Sequence, residues 1–389
     1  MVRHKQSRPA RPLRGQRALI SFSVCGGLLN QRLAMIDALM IGHLLDATVL
    51  LPSLNLNGRQ TGAQYSEEAS QVAPFTAFFD FAATSAALLP LVRVVPNNSQ
   101  TAQVGKIRQV SGRLHPAHWY ENLLDAAAID SSMPWIPGYR RMPQQQLRFG
   151  CTFAGLDKRD NESMQQLFWK IDAALMPATQ IQDAAGETIK ELRARSERLG
   201  GHGRFNALHL RVEEDWVEHC ARWESRSSQP PRDNCMTNTD ALHSVFAIEG
   251  VEEEQPLYVA TEESGVQLRK TRGLANLANY KLESKSTLWK NEEQGNWLRA
   301  HRELGAFHDL LVCRSADRFI GNSVSTFSAY LEMARERDHG AARARDFHYN
   351  GGNIPLQDVY FGQIRLVNSS LRRLKRVVAP GEYEREARK

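Results

Sequence analysis

The chain has 389 residues, 42% of them hydrophobic and 24% charged, with a formal net charge of +6. That length suits two domains of roughly 150–200 residues each, and the composition excludes fibrous and low-complexity classes. No run of 18 apolar residues occurs, so no membrane span is expected in this chain.

Much of the basic excess sits in two tails. Arg3, His4, Lys5, Arg8, Arg11, Arg14 and Arg17 crowd the start, and Arg372, Arg373, Lys375 and Arg376 come near the end. Neither tail carries interleaved aromatics or zinc-finger spacing, so nucleic acid is not an expected partner. Residues 1–17 lack an apolar h-region and read as a disordered basic tail rather than a signal peptide. The five cysteines, Cys25, Cys151, Cys220, Cys235 and Cys313, are odd in number and form no Cys-x-x-Cys pair. They indicate neither a disulfide scaffold nor a structural zinc site. Cys220 and Cys235 bracket a polar loop and are either a local bridge or two thiols.

In chain order, residues 18–24 read as a first strand, followed by a turn at Gly26 and Gly27. A helix with a broad apolar face follows from about Asn30 to Leu45, and Thr48–Leu51, stopped by Pro52, forms a second strand. This βαβ opening predicts a mainly parallel sheet. Residues 53–74 read as a long loop, Phe75–Phe81 as an aromatic group around Asp80, and Leu91–Val95 as a strand. Loops and short helices are expected over 96–146, then helices over 162–176 and 185–199.

A glycine-rich break at Gly200–Gly203 places the domain boundary near residue 200. The expected organisation is an N-terminal domain over 18–199 and a C-terminal one over 200–389, with the last helix packing back on the first domain. Beyond the break, Phe205–Leu210 and Pro256–Ala260 read as strands, and 239–250 and 264–275 as helices. Phe307–Cys313 reads as helix or strand, Phe319–Ile320 as a short strand, and Ser325–Arg337 as a helix.

Three stretches carry candidate chemistry. Gly26, Gly27 and Asn30 follow the first strand without the dinucleotide or phosphate-loop fingerprints, so they form either a ligand-facing turn or a tight βα turn. His209 and Arg211 share one face of a strand, with Glu213, Glu214 and Asp215 just beyond. Arg211 suits bidentate contact with diphosphate oxygens, or else pairs with Asp215 inside the core. Ser323, Ser325 and Thr326 stand at a helix mouth, where unpaired N–H groups favour an anion, and Ser325 is a candidate N-cap. Thr261 and Glu262 lie where a parallel strand ends, the edge at which α/β sheets collect ligands, and either touch a nucleotide or form a plain βα junction. Together these point to a two-domain enzyme holding a nucleotide diphosphate between sheet ends. A catalytically idle protein that binds a glycan or another protein is the alternative.

The ordered set Gly26–Arg32, Ala47–Pro52, Phe78–Asp80, His209–Arg211 with Asp215–Trp216, Tyr258–Thr261 and Asp317–Ser328 resembles the GDP-fucose protein O-fucosyltransferase-like glycosyltransferases, plant and algal relatives included. The resemblance implies a GT-B-like α/β fold of two Rossmann-like domains facing across a cleft. It implies inverting, metal-independent fucose transfer from GDP-fucose to a protein or glycan hydroxyl, by a monomer with no cofactor beyond the donor. A related branch uses UDP-rhamnose. Carried over by position, Arg211 grips the diphosphate as the main catalytic group, and His209 and Asp215 seat the nucleotide. Ser325, Thr326 and Phe327 hold the phosphate and line the sugar pocket, while Asn30 with the Gly26–Gly27 backbone stands on the acceptor side. No clear general base follows; Glu213 and Glu214 are candidates, Asp80 a lesser one. The family's setting implies the ER or Golgi lumen.

Overall fold

The computed structural model describes residues 19–56, 71–97, 106–110, 145–151, 162–211, 246, 250–261, 277, 279–289, 295–298, 302–322, 325–339 and 345–348. The basic tails, the Cys220–Cys235 segment, Glu262 and the expected helices at 239–250 and 264–275 lie wholly or mostly outside those residues.

The described chain forms two parallel five-stranded sheets and a small antiparallel pair. The elements run β1 (Leu19–Ser23), α1 (Leu28–Leu44), β2 (Thr48–Leu51), β3 (Leu54–Leu56), β4 (Gln71–Ala73), α2 (Phe81–Leu88), β5 (Arg93–Pro96), β6 (Lys106–Val110) and β7 (Gln145–Cys151). They continue with α3 (Glu162–Ala174), α4 (Thr179–Leu199), β8 (Asn206–His209), β9 (Pro256–Ala260), β10 (Lys281–Glu283), α5 (Lys285–Leu288), α6 (Arg302–Arg314), β11 (Arg318–Gly321), α7 (Thr326–His339) and β12 (Arg345–His348). The first sheet has the order β5-β2-β1-β7-β6 and the second β10-β9-β8-β11-β12. Every pairing within these two sheets is parallel. This is a GT-B-like α/β arrangement.

Several local readings change. Residues 53–74 are not loop alone: β3 and β4 pair as a short antiparallel ladder. The 96–146 stretch contributes β6 and the first two residues of β7, which pair at the edge of the first sheet. Phe307–Cys313 is helical, inside α6. Asp80 is the N-cap of α2: its Oδ1 accepts from Ala83 N at 2.9 Å.

The long helix α1 is buried almost all round, from Gln31 to Met40 without interruption, mostly apolar but with Gln31, Arg32 and Asp37 buried among its apolar residues. It touches its own strands β1 and β2 and helix α3, and it also touches α6 and α7, which pack with the second sheet. A single apolar cluster therefore runs through both halves, including Ile36 and Leu39 of α1, Phe168 of α3, Phe307 of α6 and Leu331 of α7. Helix α4 precedes the glycine break in sequence but packs on α6 and β9. It stops where Gly200 takes a left-handed φ of 84°.

A disulfide joins Cys25, just past β1, to Cys151, the last residue of β7, with Cα atoms 5.8 Å apart and a sequence separation of 126. In the chain-entropy model, closing a loop of that size contributes about 4–5 kcal/mol. Cys313 is a buried thiol.

Arg335 of α7 closes the second half. Its Nε donates to Asp346 Oδ1 at 3.0 Å, and its Nη1 donates to the carbonyls of Cys313, Arg314 and Ala316, where α6 ends. Losing one partner of such a buried pair typically costs about 3–5 kcal/mol. Arg335→Met should lower unfolding free energy on that scale, measured by urea titration; a change near zero would contradict the assignment.

Candidate active site

Because β8, β9 and β11 are parallel neighbours, their carboxyl ends open on one edge of the second sheet. Strand β8 is buried along its length and ends at His209. Beyond it Leu210 N still donates to Ala260 O of β9 at 3.1 Å, and Arg211 emerges half-buried. On one side lies Thr261, immediately after β9. On the other, β11 leads through Asn322 to the start of α7.

One contact joins strand end to helix mouth. The His209 Nδ1 lies 2.9 Å from Ser328 Oγ, and the same hydroxyl oxygen accepts from Asn322 N at 2.9 Å. The His209 ring also lies on the Phe327 ring, centroids 4.5 Å apart. Ser325 occupies the N-cap position, its carbonyl accepting from Ala329 N at 3.0 Å. Ser325, Thr326 and Phe327 remain half-buried, and the His209 contacts bring the start of α7 to the end of β8, two residues before Arg211. The glycine at 321 is required by this packing, because a Cβ there would stand 2.8 Å from Ser328 Cβ and Oγ.

The floor beside Thr261 is held by a buried charged network. Lys285 Nζ donates to Thr261 O and to Asp309 Oδ2, each at 2.5 Å, and Tyr258 OH donates to Asp309 Oδ1 at 2.5 Å. Burial opposes the Asp309 charge, but Lys285 and His308 outweigh it and hold the carboxyl below its ordinary range. Burial, then the Asp309 charge, pushes the Tyr258 phenol well up. His308 lies 2.9 Å from Thr188 Oγ1 through Nε2, which also faces Trp289 Nε1 at 3.3 Å. Burial holds its pKa below the ordinary value despite Asp309, and Lys285 adds to the depression.

On the first sheet, Gly26 takes φ +70°, and a Cβ there would meet Asn30 Nδ2 at 2.5 Å. Gly27 is the N-cap of α1. Gln31 pins the turn: its Nε2 donates to Gly26 O and to Asn55 O, while its Oε1 accepts from Asn55 N at 2.8 Å. The buried Asn30 Oδ1 meets no donor among the described residues.

Of the residues singled out from sequence, His209, Arg211, Thr261, Ser325, Thr326 and Phe327 stand along one edge of the second sheet. Gly26, Gly27 and Asn30 stand at the corresponding end of β1 on the first. Glu213, Glu214, Asp215 and Ser323 lie outside the described residues. Sequence reading passed over Ser328, Gln31 and Lys285. Ser328 stood inside the quoted Asp317–Ser328 stretch and Gln31 beside Asn30, but only the packed strands reveal their partners. No group of three or more His, Cys, Asp or Glu that could hold a metal ion occurs among the described residues.

Two outcomes test this geometry. Gly321→Ala should cost about 1–3 kcal/mol through overpacking against Ser328; an unshifted urea midpoint would show that the close approach is not held in solution. The unfolded chain binds a proton on histidine below about 6.5, whereas folded His308 resists it. Its stability contribution is thus complete above that pH and is lost as pH falls toward the folded value. His308→Gln should flatten the dependence of Tm on pH over that window; an unaltered slope would contradict it.

Residues 19–338 match the family described as GDP-fucose protein O-fucosyltransferase. The chain is 24% identical over 322 residues to O-fucosyltransferase 23 of Arabidopsis thaliana, covering 79% of this chain and 69% of that protein. It is 27% identical over 163 residues to GDP-fucose protein O-fucosyltransferase 1 of Caenorhabditis elegans, covering 41% and 38%. The fold resembles the crystal structure of POFUT1 in complex with GDP, with a TM-score of 0.53 and 17% identity over 86% of this chain and 98% of that one. A match over residues 19–338, carried through both sheets and the helix mouth, settles the assignment: this glycosyltransferase belongs to the GDP-fucose protein O-fucosyltransferase family.

Proposed function

We propose that the protein transfers fucose from GDP-fucose to a hydroxyl of a protein or glycan, with inversion at the sugar carbon and without a metal. The observation that carries this reading is the His209–Ser328–Asn322 contact, which holds the end of β8 and the mouth of α7 together beside Arg211. In this reading the bond between the sugar C1 and the diphosphate oxygen breaks, and its electron pair leaves with the diphosphate. The Arg211 guanidinium, the free N–H groups of the first turn of α7 and the hydroxyls of Ser325 and Thr326 receive that charge. The acceptor oxygen forms the new bond on the opposite face of C1, and its proton passes to solvent or to a carboxylate, for which Glu213 and Glu214 are the candidates. Asp215 and Thr261 take the nucleoside side, and the Gly26–Asn30 turn takes the acceptor side.

The Cys25–Cys151 bridge supports a setting in the secretory pathway, the ER or Golgi lumen, since such bonds persist in oxidising compartments. Among the described residues no helix is long and apolar enough to cross a membrane.

Donor turnover tests the assignment. GDP-fucose should be consumed with release of GDP, and UDP-rhamnose should not; preference for UDP-rhamnose, or turnover of neither, would overturn it. Arg211→Ala should lower turnover by about 100-fold or more, the scale of losing a charge-stabilising donor, with Tm retained. Undiminished turnover would remove Arg211 from the mechanism.

A further inference from the structure

Helix α1 begins at the Gly26–Gly27 turn and helix α7 at the Ser325–Thr326 mouth, so the first turns of these helices carry the two flanks of the site. One carboxylate joins them. Arg32, in the first turns of α1, donates from Nε to Asp172 Oδ1 at 2.9 Å. Tyr330, one turn into α7, donates its hydroxyl to the same oxygen at 2.7 Å. Asp172 belongs to α3, which packs with the first sheet through α1. The second arm of the guanidinium donates to the Asp172 carbonyl at 2.8 Å. All three side chains are buried, at 4% exposure for Arg32, 1% for Asp172 and 0% for Tyr330.

The guanidinium is walled by rings from both halves, Phe79 at 5.7 Å, Phe307 at 5.8 Å and Tyr330 at 5.9 Å. Burial opposes its charge, yet Asp172 and Tyr330 hold its pKa above the ordinary value. Two turns further along α7, Arg337 stands over the Trp169 ring of α3 at 5.1 Å and 3.9 Å from Asp172 Oδ2. The helices α3 and α7 are thus tied at two levels.

Apolar contact between the halves would fill the same space without fixing its register, because it is non-directional. Replacing a buried ion pair by well-packed apolar groups is often neutral or stabilising. Relative motion is the default between domains of one chain. A shared carboxylate oxygen changes that, since sliding α7 along α1 by a fraction of a turn breaks at least one of its bonds. We propose that Arg32, Asp172 and Tyr330 form a positioning latch that sets the acceptor-side turn against the donor-side helix mouth. The placement of donor and acceptor rests on the proposed function; the latch between the two halves does not.

The test reads the geometry directly. Nitroxide labels go on Leu89→Cys, just past α2 in the first half and 63% exposed, and on Leu199→Cys, at the end of α4 on the second sheet and 39% exposed. Cys220 and Cys235 are changed to Ser in this full-length background. Double electron–electron resonance should give one narrow distance in the parent protein. Tyr330→Phe, which removes one oxygen and keeps the ring, should broaden or shift that distribution. Calorimetry with GDP should give a dissociation constant within about twofold of the parent, because the donor groups stand on the second sheet alone. Asp172→Asn should act in the same direction, and Tyr330→Phe alone decides the matter if Asp172→Asn does not fold. An unchanged distribution in Tyr330→Phe would overturn the latch. So would joint loss of Tm, distance order and GDP affinity, which marks a general packing role. If the parent itself fails to bind GDP, the proposed function falls while the distance measurement still judges the latch.

Discussion

The hydrogen bond between His209 and Ser328 is the contact on which the site depends. Parallel strands can bring two loops to one sheet edge, but strand pairing alone does not orient the helices beyond those loops. Here the imidazole at the end of β8 reaches a hydroxyl in the first turn of α7, and that hydroxyl also receives the Asn322 amide. The end of β8, Asn322 and the first turn of α7 are therefore joined through one hydroxyl. The approach is close enough to leave room only for glycine at position 321. As a result the N-cap residue Ser325 and its two successors stay half-buried at the rim beside Arg211. In the proposed function, the N–H groups that open the helix and the charge of the guanidinium meet a diphosphate at this edge.

The floor under that rim is polar where most α/β cores are apolar. Lys285 holds the backbone carbonyl of Thr261 and is neutralised by Asp309, which Tyr258 also satisfies. The arrangement fixes a strand end through its backbone and leaves a defined surface next to Arg211. On the first sheet Gln31 plays a similar part, bonding the Gly26 carbonyl and both backbone groups of Asn55. Both backbone ends at the edges of the site are thus held by side-chain hydrogen bonds, from Lys285 to Thr261 and from Gln31 to Gly26.

Local signals were enough for much of this architecture. The β-branched run of β2 before Pro52, the apolar strands β8 and β9, and the glycine that ends β11 each announce themselves within a few residues. The ordered motifs from Gly26 to Ser328 carried the family. Other elements were hidden for physical reasons. Strands β6 and β7 contain Lys106, Arg108, Gln109, Gln145, Gln146 and Arg148, so their alternation reads as polar loop until the sheet supplies partners. The capping role of Asp80 was hidden because a capping carboxylate and a catalytic one look alike in sequence. Cys25 and Cys151 stand 126 residues apart, and no spacing rule links them. The Arg32–Asp172–Tyr330 contact joins three helices across separations of 140 and 158 residues, and only the packed core brings it together.

A crystal structure of the full-length protein with GDP bound tests the central claim most directly. The account predicts diphosphate oxygens within hydrogen-bond reach of the Arg211 guanidinium and of the N–H groups that open α7, with the His209–Ser328 contact intact behind them. Diphosphate seated at the Gly26–Asn30 turn of the first sheet, or reached by neither Arg211 nor α7, would contradict it.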